Sequence, residues 1–373
     1  MRAILVGIWN RDITKEEARG SLRELKGLVE AVGGKTLGWI LQNRGRPDPK
    51  YYIGAGKARQ IGEVSRGVGA DTVVFDDPLT PSQVMNLERI LGLTVLDRTD
   101  LVIEIFSRRA KSKEAKLQVE LARLTHDLPR IYGKGKALSR LGGGVGTRGP
   151  GEQEAEIRRR IIKRRIHQIR EELEEIKRRR RLQRKRRERS ETGERILKVV
   201  LVGYTNAGKS TLLKVLTGRE TFVADMLFAT LDTKTSARYF PSGIKVLFTD
   251  TVGFIRKLPP ELIESFRATL EEVTEADILV HVVDVSDDMW LDHVQAVKEV
   301  LKELSADGKP MIYALNKVDR LVEREEDLYH LPHPAFVDGK AVLISAERGW
   351  GVENLISEVI KTGEKILGLQ LVE

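Results

Sequence analysis

The chain is predicted to have an α/β fold, with two domains joined by a helical segment, and three features indicate this. Apolar runs alternate with helical patterns through the first 140 residues. A long, highly charged helical pattern follows them. Further on, four apolar runs each end in a short polar motif, as in a doubly wound, mostly parallel sheet. We place the domains at residues 1–140, 141–193 and 194–373.

The first domain is predicted to contain a parallel sheet with helices. Its strands are expected at the apolar runs 3–8, 37–41 and 72–75. Its helices are expected at residues 15–32, 82–91 and 113–124, where apolar residues recur with helical spacing.

A phosphate-binding loop is the strongest functional motif in the sequence. It lies between the apolar run 199–202 and the helical pattern 211–216, and it consists of Gly203, Tyr204, Thr205, Asn206, Ala207, Gly208, Lys209 and Ser210, with Thr211 opening the helix. Backbone N–H groups of such a loop surround phosphate oxygens, while Lys209 reaches the β- and γ-phosphates and Ser210 is a ligand of Mg²⁺. Gly54-Ala55-Gly56-Lys57 lacks both the spacing and the following Ser or Thr, so it is no second loop of this type.

A second motif follows the apolar run 244–248 and consists of Asp250, Thr251, Val252 and Gly253. At the carboxyl end of a strand, Asp250 can hold Mg²⁺ directly or through water, and the N–H of Gly253 can bind the γ-phosphate. These contacts make Lys209 and Gly253 candidate catalytic residues.

Two further motifs are expected to recognise guanine. Asn316, Lys317 and Asp319 follow the run 311–315, and Ser345, Ala346 and Glu347 follow the run 341–344. A carboxylate at Asp319 accepts hydrogen bonds from N1–H and the exocyclic amine of guanine, a donor pair that adenine lacks. The sequence therefore predicts a P-loop GTPase domain, which binds GTP and GDP.

The segment that senses the γ-phosphate is expected between these motifs, at Phe228, Ala229, Thr230, Leu231 and Asp232. Thr230 is the candidate catalytic and Mg²⁺-binding threonine, and it would release the metal after hydrolysis. Thr233 and Thr235 remain alternatives for this role.

Phe254 stands where many GTPases have the glutamine that orients the attacking water. An apolar side chain cannot orient water, so we expect slow intrinsic hydrolysis and a group supplied from elsewhere. Asn206 resembles an asparagine that holds K⁺ beside the phosphates in some GTPases, although it also suits a tight turn, and the sequence leaves both interpretations open.

Composition limits the remaining possibilities. The chain has 373 residues and no cysteine, which excludes disulfides and thiolate metal sites. No apolar run is long enough to span a membrane, and the N-terminus does not have the pattern of a signal peptide, so a cytoplasmic monomer is expected.

The net charge of +9 is concentrated in one segment. Residues 157–189 contain 17 Lys or Arg and 5 Glu, whereas the other 340 residues together carry a net charge of −3. Isoleucines and leucines at helical spacing predict a long amphipathic helix with an apolar seam, at Ile157, Ile161, Ile162, Ile166, Ile169, Leu173 and Ile176. From Lys177 the seam could bend back as a second helix or fray. The cations favour nucleic acid, with a merely solvated helix or an anionic membrane as alternatives.

A glycine-rich segment, residues 141–152, precedes this helix and is not expected to form regular structure. Either it is a flexible linker or it is a loop that fits closely around a partner.

The chain as a whole resembles the HflX family of GTPases. The resemblance is carried in the first domain by residues 52–57, 75–83, 96–99 and 116–121, in the middle by residues 142–152, and in the GTPase domain by residues 228–232 and 250–254. It implies a helical hairpin between the domains and a cytosolic GTPase that binds the large ribosomal subunit, with its first domain and linker against ribosomal RNA. Rescue, splitting or silencing of ribosomes under stress are the roles it implies.

The chain differs from many bacterial members, which continue into a further domain, because it ends at Glu373. It is therefore similar to the archaeal type, and functions tied to that extension cannot be transferred. A second nucleotide site has been proposed in the first domain of some members, but no residue pattern here establishes one.

Two functions of different classes remain open at this point. One is a ribosome-stimulated GTPase, and the other is an RNA-binding or assembly scaffold that binds GTP without hydrolysing it. A small signalling switch is disfavoured by the basic helix.

Overall fold

A computed structural model describes residues 1–139, 150–190, 195–218, 228, 233–241, 243–257, 259, 262, 265, 267–330 and 340–368. The chain divides into two compact units. The first comprises residues 1–176 and 257–265, and the second comprises residues 177–256 and 266–373.

The first unit is built on a four-stranded parallel sheet. Its strands are β1 (Arg2–Trp9), β2 (Lys35–Asn43), β3 (Thr72–Phe75) and β4 (Thr94–Asp97), in the order β2-β1-β3-β4. The three strands predicted from apolar runs are confirmed, and β4 adds a fourth at the edge.

Helices α1 to α4 connect and flank these strands. They are α1 (Lys15–Ala31), α2 (Ala55–Gly67), α3 (Pro81–Leu91) and α4 (Arg98–Arg109). Capping boxes start α1 at Thr14 and α3 at Thr80. The side chain of each threonine accepts from the N–H of the third helical residue, whose side chain accepts from the threonine's own N–H.

A buried polar network lies beneath α1 and α4. Arg98 is fully buried and donates to Asp76 at 2.5 Å, to Glu24 at 3.0 Å and to the hydroxyl of Ser21 at 2.9 Å. Burial alone would raise the pKa of Asp76, but the facing cations, Arg98 first among them, hold it well below its usual range. The network therefore fixes two helices to the end of β3.

Asp97, Asp100 and His126 form a second polar cluster, with ligand atoms close enough to share a metal ion. Arg130 already pairs with both carboxylates, at 3.0 Å to Asp97 and 2.7 Å to Asp100. A guanidinium in that position excludes a cation, so the cluster is interpreted as an ion-pair network.

Helices α5 (Lys113–Ser139) and α6 (Pro150–Ser190) form an antiparallel pair. Ion pairs join Glu120 to Arg165 and Lys113 to Glu172, so the two helices run in opposite directions. Apolar side chains fill the contact between them, with Leu117, Leu121, Leu124 and Leu128 on α5 and Ile162, Ile166, Ile169, Leu173 and Ile176 on α6. The implied hairpin is thus present, and its first arm lies before residue 140.

Three expectations for this segment are wrong. Helix α6 continues unbroken past Lys177 to Ser190, because lysine and arginine have good helix propensity. Ile157 and Ile161 are 57% and 58% exposed, so the packed seam begins at Ile162. Residues 150–152 belong to α6, whose first turn tolerates a proline; the rest of the glycine-rich segment lies outside the described residues.

The second unit is built on a six-stranded sheet. Its strands are β5 (Arg195–Gly203), β6 (Lys234–Tyr239), β7 (Ile244–Asp250), β8 (Ile278–Asp284), β9 (Met311–Asn316) and β10 (Lys340–Leu343), in the order β10-β9-β8-β5-β7-β6. Only β6 in this sheet is antiparallel to its neighbour, so the predicted mostly parallel sheet is confirmed.

Helices of the second unit are α7 (Lys209–Thr217), α8 (Arg267–Glu275), α9 (Trp290–Glu303) and α10 (Val352–Ile366). Short 3-10 helices lie at Val318–Arg320 and Glu325–His330. Buried aliphatic residues of β5, β7, β8, α7 and α10 form one continuous core, which fixes the strand ends where the predicted motifs lie.

Candidate nucleotide site

The predicted nucleotide motifs converge at one edge of the second unit's sheet. Strands β5, β7, β9 and β10 run in the same direction, and four of the predicted motifs begin at or just beyond their carboxyl ends, at Gly203, Asp250, Asn316 and Ser345. Ligands of open α/β sheets bind at this edge.

The loop between β5 and α7 requires small residues at two positions. Gly203 has φ +152°, and a Cβ there would lie 2.3 Å from the carbonyl oxygen of Val282. Gly208 has φ +97°, and a Cβ there would lie 2.3 Å from Nδ2 of Asn316. Asn206 also has a positive φ, of 62°, in keeping with the tight-turn interpretation of this residue. The backbone is thereby wrapped into a concave turn at the start of α7, which suits an anion.

Lys209 crosses beneath this turn. Its Nζ donates to the carbonyl oxygens of Gly203 at 3.0 Å and Tyr204 at 2.8 Å, and the side chain is buried. Burial lowers the pKa of Lys209 to about 8, and the carboxylate of Asp250 partly opposes this shift. A buried cation of this kind is stabilised by a bound phosphate.

Ser210 and Asp250 place two side-chain oxygen groups beside the turn. The Ser210 hydroxyl donates to Oδ2 of Asp250 at 2.6 Å. Mg²⁺ prefers a hydroxyl and a carboxylate of this kind, with water and phosphate oxygens in its other positions, so the two residues fit the ion. In the structure they hold each other in place.

The segment after Asp250 lies directly against the phosphate loop. Thr251 is fully buried and donates from its hydroxyl to the carbonyl of Leu201 at 2.8 Å, and Val252 is also buried. A Cβ on Gly253 would lie 2.9 Å from Cα of Thr205 and 3.1 Å from Nζ of Lys209. Glycine is therefore required where this segment passes the loop.

Asn316 connects the phosphate loop to the last motif. Its Nδ2 donates to the carbonyl of Ala207 at 2.8 Å, and its Oδ1 accepts from the N–H of Ala346 at 2.9 Å. A single buried amide thus fixes the separation of two loops from different strands.

The remaining base-pocket candidates surround Asn316. Lys317 has φ 67° and pairs through Nζ with Asp284 at 2.7 Å, while Asp319 lies in the 3-10 helix that follows and is partly exposed. Ser345 and Ala346 are buried, and Glu347 is exposed. The Ser345 hydroxyl accepts from the N–H of Arg348 at 3.1 Å, which shapes the turn.

The expected γ-phosphate sensor is described only in part. Phe228 is buried and has φ 56°. Ala229, Thr230, Leu231 and Asp232 lie outside the described residues. Of the alternative threonines, Thr235 lies within β6 and its hydroxyl is hydrogen-bonded to that of Thr249 at 2.9 Å, so it is part of the sheet.

Sequence reasoning missed a group of side chains behind the phosphate loop. The hydroxyl of Tyr204 accepts from the backbone N–H of Arg256 at 2.8 Å, and its ring stacks on that of His293 with centroids 3.9 Å apart. Asp292 lies 3.5 Å from the guanidinium of Arg256. His293 and Asp292 lie on α9, and no short motif joins them to the loop, so no local pattern in the sequence indicates this cluster.

Within the described part of the chain, no helix is long and apolar enough to cross a membrane.

Comparison with protein families gives three successive matches. Residues 19–107 match the N-terminal region of a GTP-binding GTPase, residues 109–187 match its middle region, and residues 198–317 match a 50S ribosome-binding GTPase domain.

Comparison with curated proteins gives relatives along nearly the whole chain, among them several named GTPase HflX. The protein of Alkalihalophilus pseudofirmus is 42% identical over 99% of this chain and 83% of its own length. The protein of Caldanaerobacter subterraneus is 48% identical over 86% of this chain and 73% of its own length. The protein of Escherichia coli K12 is 39% identical over 95% of this chain and 81% of its own length. Among solved structures, a GTP-binding protein from Sulfolobus solfataricus in complex with GDP is 28% identical with a TM-score of 0.46, covering 98% of this chain and 100% of that one.

Proposed function

Because this chain belongs to the HflX family of GTPases, enzymes that hydrolyse GTP, we propose that it is a ribosome-associated GTPase with low intrinsic activity. Its nucleotide site is the carboxyl edge of the second unit's sheet. Membership in a family of GTP-hydrolysing enzymes sets aside the alternative of a scaffold that only binds GTP.

The proposed roles of the residues follow from their positions. Residues 203–211 surround the phosphates, with Lys209 against the β- and γ-phosphates. Gly253 offers its N–H to the γ-phosphate, and its close approach to Lys209 supports this assignment. Asn316, Lys317 and Asp319, with Ser345, Ala346 and Glu347, form the base pocket, in which the carboxylate of Asp319 selects guanine.

Mg²⁺ is proposed to bind to Ser210 and Asp250, with Thr230 as a further ligand in the GTP state. The ion supplies charge neutralisation at the β- and γ-phosphates. The adjacent hydroxyl and carboxylate oxygens of Ser210 and Asp250 support this assignment, since neither has to move far to become a ligand.

Association with the large ribosomal subunit and its RNA is supported chiefly by the charge of α6. Its segment 157–189 carries an excess of 12 positive charges on a chain whose total is +9. Some of these cations are neutralised within the helical pair, as Arg165 is by Glu120 and Glu172. The block from Lys177 onward is much denser in cations than in acids and suits a phosphate backbone. Such a protein would act as a cytoplasmic monomer.

The slow intrinsic rate is inferred from Phe254. Its side chain is only 2% exposed and is apolar, so it cannot hold the attacking water by a hydrogen bond. The missing group must come from another part of the assembly, and the ribosome is the proposed source.

Two measurements on the full chain test this proposal. In single-turnover assays, 50S subunits should raise the rate of GTP hydrolysis at least tenfold over the protein alone. In sedimentation with 50S subunits, retention should differ between a GTP analogue and GDP. Equal hydrolysis rates with and without subunits, together with retention that ignores the nucleotide, would contradict the proposal.

The base pocket has a separate test in Asp319→Asn. This change removes the acceptor pair for guanine, so GTP affinity should fall at least tenfold and affinity for xanthosine triphosphate should rise, because its C2 carbonyl can accept from the new amide. Titration with fluorescent analogues of both nucleotides measures this. An unchanged preference for GTP would refute the assignment of Asp319.

A further inference from the structure

Tyr204 is an aromatic residue within the phosphate loop, and it is 7% exposed. The motif requires no aromatic side chain at this position. Its contacts therefore show what this chain uses the side chain for.

The Tyr204 ring is held from one side by α9. It stacks on His293 with a centroid separation of 3.9 Å and an interplanar angle of 13°. This contact directs the hydroxyl toward the segment after Gly253, where it accepts from the N–H of Arg256 at 2.8 Å.

Two backbone hydrogen bonds join the same segment to the loop. The N–H of Phe254 donates to the carbonyl of Gly203 at 3.1 Å, and the N–H of Thr205 donates to the carbonyl of Phe254 at 2.8 Å. Tyr204 and Phe254 thereby form a parallel β-bridge. The hydroxyl of Tyr204 adds a third attachment two residues farther along.

The side chain of Arg256 extends the contact to the same turn of α9. Its guanidinium lies 3.5 Å from Asp292 and 3.4 Å from the sulfur of Met289. Helix α9 therefore supports both ends of the bond between Tyr204 and Arg256.

We propose that Tyr204 is a positioning residue for GTP hydrolysis. Its hydroxyl holds residues 254–256 against the phosphate loop, which fixes the N–H of Gly253 where the γ-phosphate binds. This inference rests on the γ-phosphate role proposed for Gly253, and it does not depend on the ribosome. Since only GTP carries a γ-phosphate, losing the hydroxyl should affect hydrolysis more than GDP binding.

The variant Tyr204→Phe tests this, because it keeps the ring and its stacking contact and removes the hydroxyl that accepts from the N–H of Arg256. Loss of one net hydrogen bond predicts a 3- to 10-fold lower single-turnover rate for the full chain with Mg²⁺ and without ribosomes. Affinity for GDP should stay within about twofold, and the midpoint of thermal unfolding should fall by no more than about 4 °C, because the lost hydrogen bond also belongs to the folded protein. Tyr239→Phe is the matched control, since Tyr239 lies on β6 and is 64% exposed; it should leave all three quantities unaltered.

A second variant and a measurement on the unaltered protein complete the test. His293→Leu removes the stacking contact but leaves the hydroxyl, and it should lower the same rate about 2- to 10-fold. In hydrogen exchange, the amide of Arg256 should be protected in the unaltered protein with a GTP analogue and exchange faster in Tyr204→Phe. A wild-type rate in Tyr204→Phe, or an equal loss of GDP affinity and hydrolysis, would overturn the inference while leaving the ribosomal proposal to its own test.

Discussion

At Lys209, the stability of the fold and the affinity for a phosphate are expected to depend on the same buried charge. Its ammonium is buried against two carbonyl oxygens, and burial lowers its pKa to about 8. The charge is therefore less stable in the folded, nucleotide-free protein than in the unfolded chain. A phosphate bound as proposed would reverse this imbalance, so Lys209 should strengthen nucleotide binding although it lowers the stability of the fold.

The Lys209→Met variant should separate these two effects. Because the folded pKa lies below the unfolded value of 10.5, the unfolded chain binds more protons between them, and stability rises with pH over that interval. Between pH 7.5 and 9.5 the wild type should gain about 2 kcal/mol of unfolding free energy relative to the variant. Urea unfolding of both proteins without nucleotide measures this difference.

The same substitution should also abolish measurable single-turnover GTP hydrolysis. Ser82→Ala in the first unit is the control for effects of mutation and purification in general. It should keep the wild-type rate, since Ser82 lies far from these motifs in the sequence. Parallel pH profiles for wild type and Lys209→Met would show that Lys209 titrates normally in the fold.

Arg98 is the residue on which the first unit's buried polar network depends. Removing it in Arg98→Ala leaves the Asp76 carboxylate and the Ser21 carbonyl in a dry interior without this donor. Breaking a buried ion pair from one side costs about 3–5 kcal/mol, which is a large part of a domain's stability. Guanidinium unfolding should show that loss.

Arg158→Ala is the matched control for Arg98→Ala. Arg158 pairs with Glu154, but both side chains are about two-thirds exposed, at 67% and 64%. Its removal should cost no more than about 0.5 kcal/mol. Similar losses for the two variants would contradict the assignment of Arg98 as the structural centre.

At the level of elements, the sequence predicted where the motif residues of the second unit lie better than it predicted the side-chain contacts of the first unit. Each GTPase motif follows its own strand, so the parallel topology alone brings Asp250 and Asn316 to one edge. Arg98 and Asp76, by contrast, meet through packing between elements separated by about 20 residues, and no local periodicity encodes that contact. Two of the strings that carry the family resemblance, residues 75–83 and 96–99, contain these contacting residues. Their role is structural, so it could not be inferred from the chemistry of a ligand.

In helix α6, the spacing of apolar residues predicts the helix but not where its packed face begins. The spacing of isoleucines correctly predicted the packed face from Ile162 to Ile176, but it also included Ile157 and Ile161, which are exposed. The density of cations from Lys177 led to the expectation of fraying or a bend, whereas the helix continues to Ser190. Charge density governs what a helix binds more than whether it forms.

Neutralising four cations in this part of α6 should weaken ribosome binding. We choose Arg178, Arg179, Arg180 and Arg184, each changed to Gln, which preserves helix propensity. Each lost phosphate contact should reduce the slope of log affinity against log salt by about 0.7–0.9, so four contacts reduce it by about 3. Filter binding to 50S subunits at several salt concentrations measures the slope.

The control for α6 removes the same charge elsewhere, at exposed lysines of the second unit. It changes Lys214, Lys302, Lys361 and Lys365 to Gln. An equal reduction of the salt slope in this variant would mean that total charge, and not α6, drives association.

At the scale of the whole molecule, the chain combines a proposed nucleotide site, in which the apolar Phe254 follows Gly253, with a basic helix that suits a large polyanion. The sequence anticipated both features, since each is encoded by residue type at one place. It could not specify the cluster of Tyr204, Arg256 and His293, because that contact depends on how α9 packs behind the phosphate loop. The position of Phe254 therefore depends on these side-chain contacts as well as on the motif that it follows.

A comparison of monovalent cations tests whether a bound K⁺ assists hydrolysis, since Phe254 cannot orient the attacking water. If Asn206 holds K⁺ beside the phosphates, the ion stabilises the charge that develops in hydrolysis, and single-turnover rates in K⁺ should exceed those in Na⁺ at least tenfold. Asn206 has φ 62°, which glycine adopts without strain, so Asn206→Gly keeps the turn and removes the ligand. That variant should show equal rates in both salts. Equal rates already in the wild type would assign Asn206 to the turn alone and leave the ribosome as the source of the missing stimulus.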